Sequence, residues 1–470
     1  MNYKGIVYYL GLLCFPISIL AFINILYSSY FDYFLNISSY ITTLIISFLA
    51  GIIFLFISKS SSKRLFFIEQ LILIISTYFL LSFLIALPFY LSNYQITFLN
   101  SFFEAVSGIS NTGFSTFNNL KYFDPTLILW RSSSQWIGGL IFLFFLVLIF
   151  SNKQFNYKMN DLTYSGDGGI NSENNIKDLL LKIFILFSII SFTIFLLLNF
   201  SGIRMFNSLN LSMSLVSTGG FLPTESLDKI IRTNTQKLVL IFSFLISMLN
   251  FFLILNIFER KIIIRQHKED FYLVILSLLF VILIYLNNQS VLNTFISVLS
   301  SLSNSGLSLL SESNNLSLYF ILITAVGGSL ISNTSGIKFA RIYILLKTAS
   351  IEIIKLASPN SITNKSIFNS EKKINNENIK ISFLIFISFF LSLFILSSIL
   401  IFDNIDFEKS FKLSILTITN TTNSSMFGIG EMNFANLLTT SKLSLIMFMI
   451  IGKIELISIF LVIKKIFFKD

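Results

Sequence analysis

The sequence has few of the residues that form metal sites, and it has little charge. Its 470 residues include one cysteine, Cys14, and one histidine, His267. A single cysteine excludes an internal disulfide, and one cysteine with one histidine is too few for a zinc site or for Cys/His catalysis. Charged residues make up 12% of the chain, whereas a soluble domain carries about 25%. The chain therefore lacks the charge that a water-soluble surface needs.

Signatures of enzymes are absent as well. The sequence contains neither a Gly-rich nucleotide-binding loop nor an HExxH motif. The apolar runs contain no clustered histidines, cysteines or paired carboxylates that would serve as acid, base or metal ligands. We therefore predict that the chain is not an enzyme and that it has no cofactor of its own.

Long apolar runs dominate the sequence instead. Hydrophobic residues make up 54% of the chain, and the mean hydropathy is +0.81. A bilayer span needs about 20 apolar residues. By that criterion there are about ten candidate spans, at 3–29, 36–58, 66–92, 126–150, 178–200, 237–258, 271–287, 317–346, 381–402 and 441–467. The first is too long, and lacks a small-residue cleavage site, for a removable signal peptide. The composition predicts an all-α integral membrane protein.

Positive charge is concentrated in short segments between the candidate spans. The net charge is +10, and its clusters are Lys59, Lys63 and Arg64; Arg260, Lys261, Arg265 and Lys268; 347–380; and Lys464, Lys465 and Lys469. These clusters all fall on one side of the membrane if the N-terminus is cytoplasmic, so the positive-inside rule predicts that both termini are cytoplasmic. Orientation and contact with anionic lipid explain the charge, and we predict no nucleic-acid partner.

One short pattern recurs along the chain. LNSFFEAVSGISNTG begins at Leu99 and LNTFISVLSSLSNSG begins at Leu292; FNSLNLSMSLVSTGGF, from Phe206, keeps the same asparagine-to-serine spacing. A fourth version, FKLSILTITNTTNSSMFGIGE, begins at Phe411. Each is too short to cross a membrane and is typical of a half-helix that enters and returns, which is tolerated only inside protein or beside a water-filled cavity. Several such copies predict segments that surround one axis.

The glycine at the end of each pattern indicates what such an axis is for. Glycine reaches backbone conformations that turn carbonyl oxygens toward an axis. Rings of carbonyl oxygens replace the hydration shell of a potassium-sized cation, and the C-terminal end of a half-helix adds partial negative charge. The alternative is that these stretches are ordinary loops rich in serine, asparagine and glycine.

Five stretches of the sequence carry a family resemblance. They are ALPFYLSNYQITFLNSFFEAVSGISNTGF (86–114), LILWRSSSQWIGGL (127–140), STGGF (217–221), SGIKFARIYILLK (335–347) and GKIEL (452–456). Together they resemble the Trk/Ktr/HKT superfamily of cation transporters, and above all its bacterial TrkH/TrkG branch. The resemblance extends over essentially the whole chain.

The resemblance implies a fold of four span–pore-helix–span repeats around one pore, after two extra N-terminal transmembrane helices. The implied boundaries are 1–65 for the two extra spans, 66–150, 177–258 and 270–347 for the first three repeats, and 380–470 for the fourth. The third repeat is expected to contain an intramembrane loop at 327–338.

The resemblance also implies the residues of a selectivity filter. The first three segments are Ser110, Asn111, Thr112 and Gly113; Ser217, Thr218 and Gly219, with Gly220 as the alternative glycine; and Ser303, Asn304, Ser305 and Gly306. Alignment of GIGE (428–431) makes the fourth segment Asn423, Ser424, Ser425 and Met426, with Met426 where a glycine is usual. Potassium is then expected at the carbonyls of Asn111, Thr112, Ser217, Thr218, Asn304, Ser305, Ser424 and Ser425. In the superfamily that the chain resembles, loss of a filter glycine is associated with sodium permeation. Sodium or mixed sodium/potassium permeation is therefore the alternative.

A gate is implied below this filter. Small polar residues interrupt the candidate span at 327–338, with Gly327, Gly328, Ser335 and Gly336 as the implied gate residues; the alternative is a kinked helix with small-residue packing. Lys453 lies in the last span, where a charge costs at least ~3 kcal/mol unless it faces water or a partner. We predict an electrostatic barrier at Lys453, and a structural ion pair with a buried acid is the alternative.

The function implied is potassium uptake across the bacterial cytoplasmic (inner) membrane, as a symporter or channel. The transported K⁺ is the only ligand expected. The implied partners are a second copy in a homodimer and a cytosolic ring of nucleotide-binding, TrkA-like regulatory subunits. Glu104 and Arg131 match family positions near the outer mouth, and we expect a structural role for both. The alternative from a different functional class is a membrane scaffold or receptor that no longer transports ions.

Overall fold

A computed structural model describes residues 2–59, 65–117, 119–151, 173–259, 267–286, 290–309, 316–361, 364–368, 373–430 and 432–454. Across these ranges the regular structure is helical, apart from a single antiparallel bridge between Ser366 and Lys373. The all-α prediction is confirmed. Of the predicted basic clusters, Lys63, Arg64, Arg260, Lys261, Arg265, Lys464, Lys465 and Lys469 lie outside the described residues.

The α-helices, numbered in chain order, are α1 (Tyr3–Tyr30), α2 (Ile37–Ile57), α3 (Phe67–Tyr90), α4 (Phe98–Ile109), α5 (Pro125–Ser151), α6 (Glu173–Phe200), α7 (Met205–Ser217), α8 (Asn234–Met248), α9 (Phe251–Phe258), α10 (Lys268–Tyr285), α11 (Val291–Leu302), α12 (Ser317–Val326), α13 (Phe339–Ala357), α14 (Asn376–Phe402), α15 (Phe407–Ile418) and α16 (Thr439–Ile454). Four short 3₁₀ turns complete the described regular structure, at Leu120–Tyr122, Leu227–Lys229, Ser425–Phe427 and Phe434–Asn436.

Six helices of the described chain are long and apolar enough to cross a membrane. They are α1, α2, α3, α14, and the segments Pro125–Leu148 of α5 and Lys177–Phe200 of α6. Each matches a predicted span. Large apolar side chains such as Phe22, Ile53 and Phe394 are exposed on these helices, as expected of surfaces that face lipid rather than water.

The first two helices pack tightly against each other and then against the rest of the bundle. A Cβ added at Gly11 would lie 3.1 Å from the carbonyl oxygen of Gly51, so the backbones approach closely. The hydroxyl groups of Ser18 and Ser47 bond across the pair at 2.7 Å. At the end of the pair nearest α5, the Tyr40 hydroxyl donates to Thr126 Oγ1 at 3.2 Å.

The span predicted at 237–258 is not one straight helix. It is broken between α8 and α9, which meet at 103°. Asn250 begins α9 by accepting the Phe252 N–H on its side-chain oxygen at 2.9 Å. Hydropathy alone does not distinguish a broken apolar segment from a straight one, and Asn250 is the local signal that favours the break.

Four of the helices that are too short to cross a membrane share one pattern. They are α4, α7, α11 and α15, with 12, 13, 12 and 12 residues, or about 18–20 Å of rise. The C-terminal half of each is buried among the longer helices. These short helices direct the residues that follow them to the centre of the molecule.

Candidate ion pathway

Each of the four short helices ends in the same backbone conformation. One residue just after each helix has a positive φ: 60° at Asn111, Thr218 and Asn304, and 48° at Asn420. Thr218 is the first residue after its helix, and the three asparagines are the second. Asparagine tolerates this left-handed region better than most residues, and it occupies three of the four positions. The four chain segments therefore leave their helices along equivalent paths.

Backbone hydrogen bonds fix the register of these segments. The amide after each left-handed residue donates to a carbonyl five residues earlier: Thr112 to Ser107, Gly219 to Ser214, Ser305 to Ser300 and Thr421 to Leu416, at 2.8–3.0 Å. The next positions are Gly113, Gly220, Gly306 and Thr422. We call 110–113, 217–220, 303–306 and 419–422 the four ring segments. This register makes Gly220, the predicted alternative, the glycine of the second segment.

The fourth segment predicted from sequence is wrong in register. The structure puts Thr419–Thr422 level with the other three segments, and Asn423, Ser424, Ser425 and Met426 follow beyond them. Asn423 donates to the Gly430 carbonyl at 3.0 Å, and Met426 is fully buried with its sulfur 3.9 Å from Ser301 Oγ. The predicted register depends on Gly428 and Gly430, but these glycines, with φ of 63° and 77°, turn the chain after the segment. The missing glycine is therefore at Thr422, not at Met426.

The four ring segments surround one point in a cyclic order. A Cβ added at Gly113 would lie 2.4 Å from the carbonyl oxygen of Gly219, one at Gly220 would lie 2.6 Å from that of Ser305, and one at Gly306 would lie 2.4 Å from that of Thr422. The fourth segment returns to the first through Asn420 Nδ2, which donates to Thr112 Oγ1 at 2.9 Å. The segments thus close a ring so tight that three positions admit only glycine.

Asparagine side chains attach three of the segments to the helices that follow them. Asn111 donates to the Gln135 carbonyl at 2.8 Å, Asn304 to the Thr324 carbonyl at 2.9 Å, and Asn420 to the Met449 carbonyl at 2.8 Å. Three of the four backbone turns are therefore fixed to a following helix by a buried hydrogen bond.

Gln135 joins α5 to the second ring segment, a role that sequence reasoning missed. Its Nε2 donates to the Gly219 carbonyl at 2.5 Å, and its Oε1 accepts the Phe221 N–H at 3.1 Å. Gln135 is fully buried within the QWIGG stretch. A buried glutamine in an apolar span needs partners for both ends of its amide, and that requirement was the available signal.

A non-helical loop between α12 and α13 lies where the sequence predicts it. The loop interlocks with the break between α8 and α9: Ser329 N–H donates to the Met248 carbonyl at 3.0 Å, and Phe251 N–H donates to the Ile331 carbonyl at 2.8 Å. Gly327 and Gly336 have φ of 67° and 81°. The two interrupted helices therefore satisfy each other's backbone groups, as buried irregular backbone must.

Two buried carboxylates at the start of α10 complete this junction. Glu269 Oε1 accepts the Leu330 N–H at 2.8 Å, and Asp270 Oδ1 accepts the Asn250 N–H at 2.8 Å. Both acids are almost fully buried. Sequence reasoning treated 271–287 as an apolar span and did not consider the two acids at its start.

The predicted gate residues are gathered at this loop. Gly328 approaches α8 closely, since a Cβ there would lie 2.7 Å from the Met248 carbonyl oxygen. Gly327 packs against Ser335, whose carbonyl oxygen would lie 2.4 Å from an added Cβ. Lys453 Nζ, from α16, donates to the Asn333 carbonyl at 2.9 Å. The structure thus brings these predicted gate residues together around one loop.

Lys453 has no acidic partner in the part of the chain that the structure describes. It is 1% exposed, and its Nζ lies 4.4 Å from the centre of the Phe142 ring. A second ammonium, Lys338 Nζ, lies 5.9 Å from the same ring and donates to the Ser332 carbonyl at 3.2 Å. Glu455 lies outside the described residues. Lys338 lies in the SGIKFARIYILLK stretch but is not among the predicted gate residues, and it adds a second positive charge beside the loop.

A buried ion pair holds the chain that follows the first two ring segments. Arg131 Nε lies 2.7 Å from Glu104 Oε1, with the two side chains 2% and 0% exposed. Glu104 Oε2 accepts the Thr116 N–H at 2.7 Å, and the Arg131 guanidinium lies 4.2 Å from the centre of the Phe221 ring. These contacts hold the chain just after both ring segments, in agreement with the expected structural role.

Comparisons with known proteins give several relatives over most of the chain. No family model matches the chain. The uncharacterized cation transporter MJ1485 of Methanocaldococcus jannaschii is 23% identical over 415 residues, covering 83% of this chain and 80% of the relative. The Trk system potassium uptake protein TrkG of Escherichia coli is 24% identical over 443 residues, covering 88% of each chain. The Trk system potassium uptake protein TrkH of Salmonella typhimurium is 23% identical over 416 residues, covering 82% of this chain and 83% of the relative.

A solved structure agrees with these relatives. The potassium transporter TrkH from Vibrio parahaemolyticus superposes with a TM-score of 0.84 at 17% identity, covering 98% of each chain. The resemblance to the Trk/Ktr/HKT superfamily is confirmed. The described helices therefore form a Trk-type membrane transporter fold, in which the ring segments and the interlocked loop lie at the centre. The repeat boundaries predicted from the sequence stay a prediction.

Proposed function

We propose that this chain is the membrane subunit of a potassium uptake system, with one pore through the centre of the four ring segments. The observation that carries the proposal is the common register of four short helices, whose last residues meet in one closed ring. Relatives named as potassium uptake proteins, similar over most of the chain, give further support. Potassium is here the transported substrate and not a cofactor, and we propose no cofactor for this chain.

Potassium would be held by backbone carbonyl groups of the ring. The first three segments would bind potassium through the predicted carbonyls of Asn111, Thr112, Ser217, Thr218, Asn304 and Ser305. In the fourth segment the carbonyls of Asn420 and Thr421 would bind it, in place of those predicted at Ser424 and Ser425. The short helices direct their C-terminal ends, with partial negative charge, to the same place. Carbonyl rings of this kind replace the water shell of a cation.

The loop at 327–338 and Lys453 would form the gate. The loop is attached to α8–α9 by backbone bonds and to α16 by the Lys453 ammonium, so movement of either helix would displace it. The two ammonium groups of Lys338 and Lys453 add a positive barrier to cations on that side of the ring. Gly327, Gly328, Ser335 and Gly336 would give the loop the backbone freedom to move.

Uptake by the purified protein in liposomes tests the proposal. Potassium, rubidium, sodium and lithium would each be supplied to proteoliposomes, with empty liposomes as the control. We expect uptake of potassium and rubidium well above sodium and lithium, because the carbonyl ring fits the larger ions. Absence of uptake of every ion by correctly folded protein would instead favour the scaffold alternative.

The proposal extends to orientation and partners. Both termini would lie in the cytoplasm of a bacterial inner membrane, and two copies would form a homodimer on a cytosolic ring of TrkA-like, nucleotide-binding subunits. The basic segments at 259–268 and 347–380 would contact that ring, since they carry most of the predicted cytoplasmic charge.

Co-purification tests these partners. Neutralising the lysines and arginines of both basic segments should remove a co-expressed regulatory subunit while leaving the ion preference in liposomes unchanged. A variant with neutralised Lys121 and Lys229, which lie outside both segments, is the matched control. Unchanged co-purification after neutralising both segments would contradict the docking surface.

A further inference from the structure

Thr422 is the residue that departs from the common pattern of the ring. The three glycines at the equivalent positions, Gly113, Gly220 and Gly306, have φ of 79°, 75° and 69°. Thr422 does not have a positive φ. Its segment therefore follows the other three through Thr421 and then takes a different backbone path, with a side chain where they have none.

The Thr422 side chain reaches across the ring. A Cβ added at Gly113 would lie 2.7 Å from Thr422 Oγ1, and one added at Gly220 would lie 2.7 Å from Thr422 Cβ. Gly113 belongs to the neighbouring segment in the cyclic order, but Gly220 belongs to the segment on the opposite side. A side chain that touches both lies over the centre of the ring.

One hydrogen bond holds the side chain there. The Thr422 hydroxyl donates to the Gly113 carbonyl oxygen at 2.7 Å. That bond directs one ring carbonyl to a protein hydroxyl instead of to a passing ion. The side chain is 6% exposed, so it fills the ring rather than lining an open channel.

We propose that the Thr422 side chain is a movable plug at the centre of the ring, held closed by its hydroxyl bond to Gly113. An ion passes only after the side chain rotates to another staggered position. Rotation frees the Gly113 carbonyl and the Thr422 hydroxyl, and both oxygens are then available to the ion. The plug limits the rate of transport and excludes the largest monovalent cations. This inference rests on the proposed function of the ring.

Replacement of Thr422 in proteoliposomes tests the plug. Thr422→Gly should raise potassium and rubidium uptake about tenfold, because a single hydrogen bond contributes up to that factor, and it should admit caesium, which the wild type excludes. Thr422→Val keeps the shape but replaces the hydroxyl by a methyl group, so it loses the bond that holds the plug closed, and its uptake should rise above that of the wild type while caesium stays excluded. Thr224→Gly is the matched control, the same threonine-to-glycine change in the loop that follows the second ring segment, and should leave rate and preference unchanged.

The outcomes separate this inference from the proposed function. If the wild type takes up potassium but Thr422→Gly and Thr422→Val both match it, the plug is wrong and the proposed function stands. If the wild type takes up no cation, the proposed function itself fails. Should Thr422→Gly not fold, Thr422→Ser decides, because the shorter side chain leaves more room in the ring and should admit caesium. Caesium still excluded by Thr422→Ser would overturn the plug.

Discussion

Replacement of Lys453 by methionine or glutamine should raise potassium flux in proteoliposomes by more than tenfold. A positive charge about 10 Å from a passing cation costs ~1.7 kcal/mol at an effective dielectric constant of about 20, and that energy corresponds to more than a tenfold change in rate. Lys453 is buried, and the structure gives it a backbone carbonyl and an aromatic ring as neighbours but no carboxylate among the described residues. Its charge is therefore not cancelled locally.

Three variants separate the charge of Lys453 from its hydrogen bond. Lys453→Arg retains both and should keep the low flux of the wild type. Lys453→Gln retains a donor for the Asn333 carbonyl but has no charge, whereas Lys453→Met has neither. Equal flux in the glutamine and wild-type proteins, with high flux in the methionine protein, would assign the effect to the anchored loop. Lower flux and lower thermal stability in both uncharged variants would instead favour a structural ion pair with a residue beyond 454.

The spans and three of the ring segments were predictable because their signals are local. Apolar runs of span length predict helices such as α1 and α14, whatever they pack against. The motifs at Ser110, Ser217 and Ser303 repeat one spacing, and each contains the glycine that the close ring requires. The resemblance of the whole chain to one superfamily then predicted how these parts are assembled.

The fourth segment was not predictable from glycines, because it has Thr422 where the other three segments have a glycine. Alignment on Gly428 moved the segment four residues along the chain, to Asn423–Met426. The internal pattern held the better signal: Asn420 follows its short helix as Asn111 and Asn304 follow theirs. Only the backbone hydrogen bonds show that Thr422 occupies the position of the glycine.

The interlocked junction also could not be read from sequence. The break before Asn250 and the loop at 327–338 lie about 80 residues apart in the chain, and neither predicts the other. Glu269 and Asp270 stand beside an apolar run, where acids usually mark the end of a span. Their burial is explained only by the two amide groups that they accept, Leu330 N–H and Asn250 N–H, in a tertiary contact.

Removal of either partner of the Glu104–Arg131 pair should destabilise the protein by about 3–5 kcal/mol, because it leaves a buried charge without compensation. The pair is almost completely buried and joins α4 and α5 to the chain that follows Gly113. Glu104→Ala and Arg131→Ala should therefore lower the midpoint of thermal or denaturant unfolding in detergent. Both should also reduce potassium uptake, since the first two ring segments lose their support.

A double replacement and an exposed pair provide the controls for this prediction. Glu104→Met with Arg131→Met removes both charges and should be less destabilised than either alanine variant. The effects are not additive because the double replacement leaves no buried charge unpaired. The Lys182–Glu259 pair has a similar ion-pair distance, 2.6 Å, but is 53% and 21% exposed, and Lys182→Ala should cost less than about 1 kcal/mol. Equal effects of Arg131→Ala and Lys182→Ala would mean that the buried pair does not hold the ring. A large loss at Arg131 that the double replacement reverses, with uptake restored, would assign the loss to the unpaired charge itself.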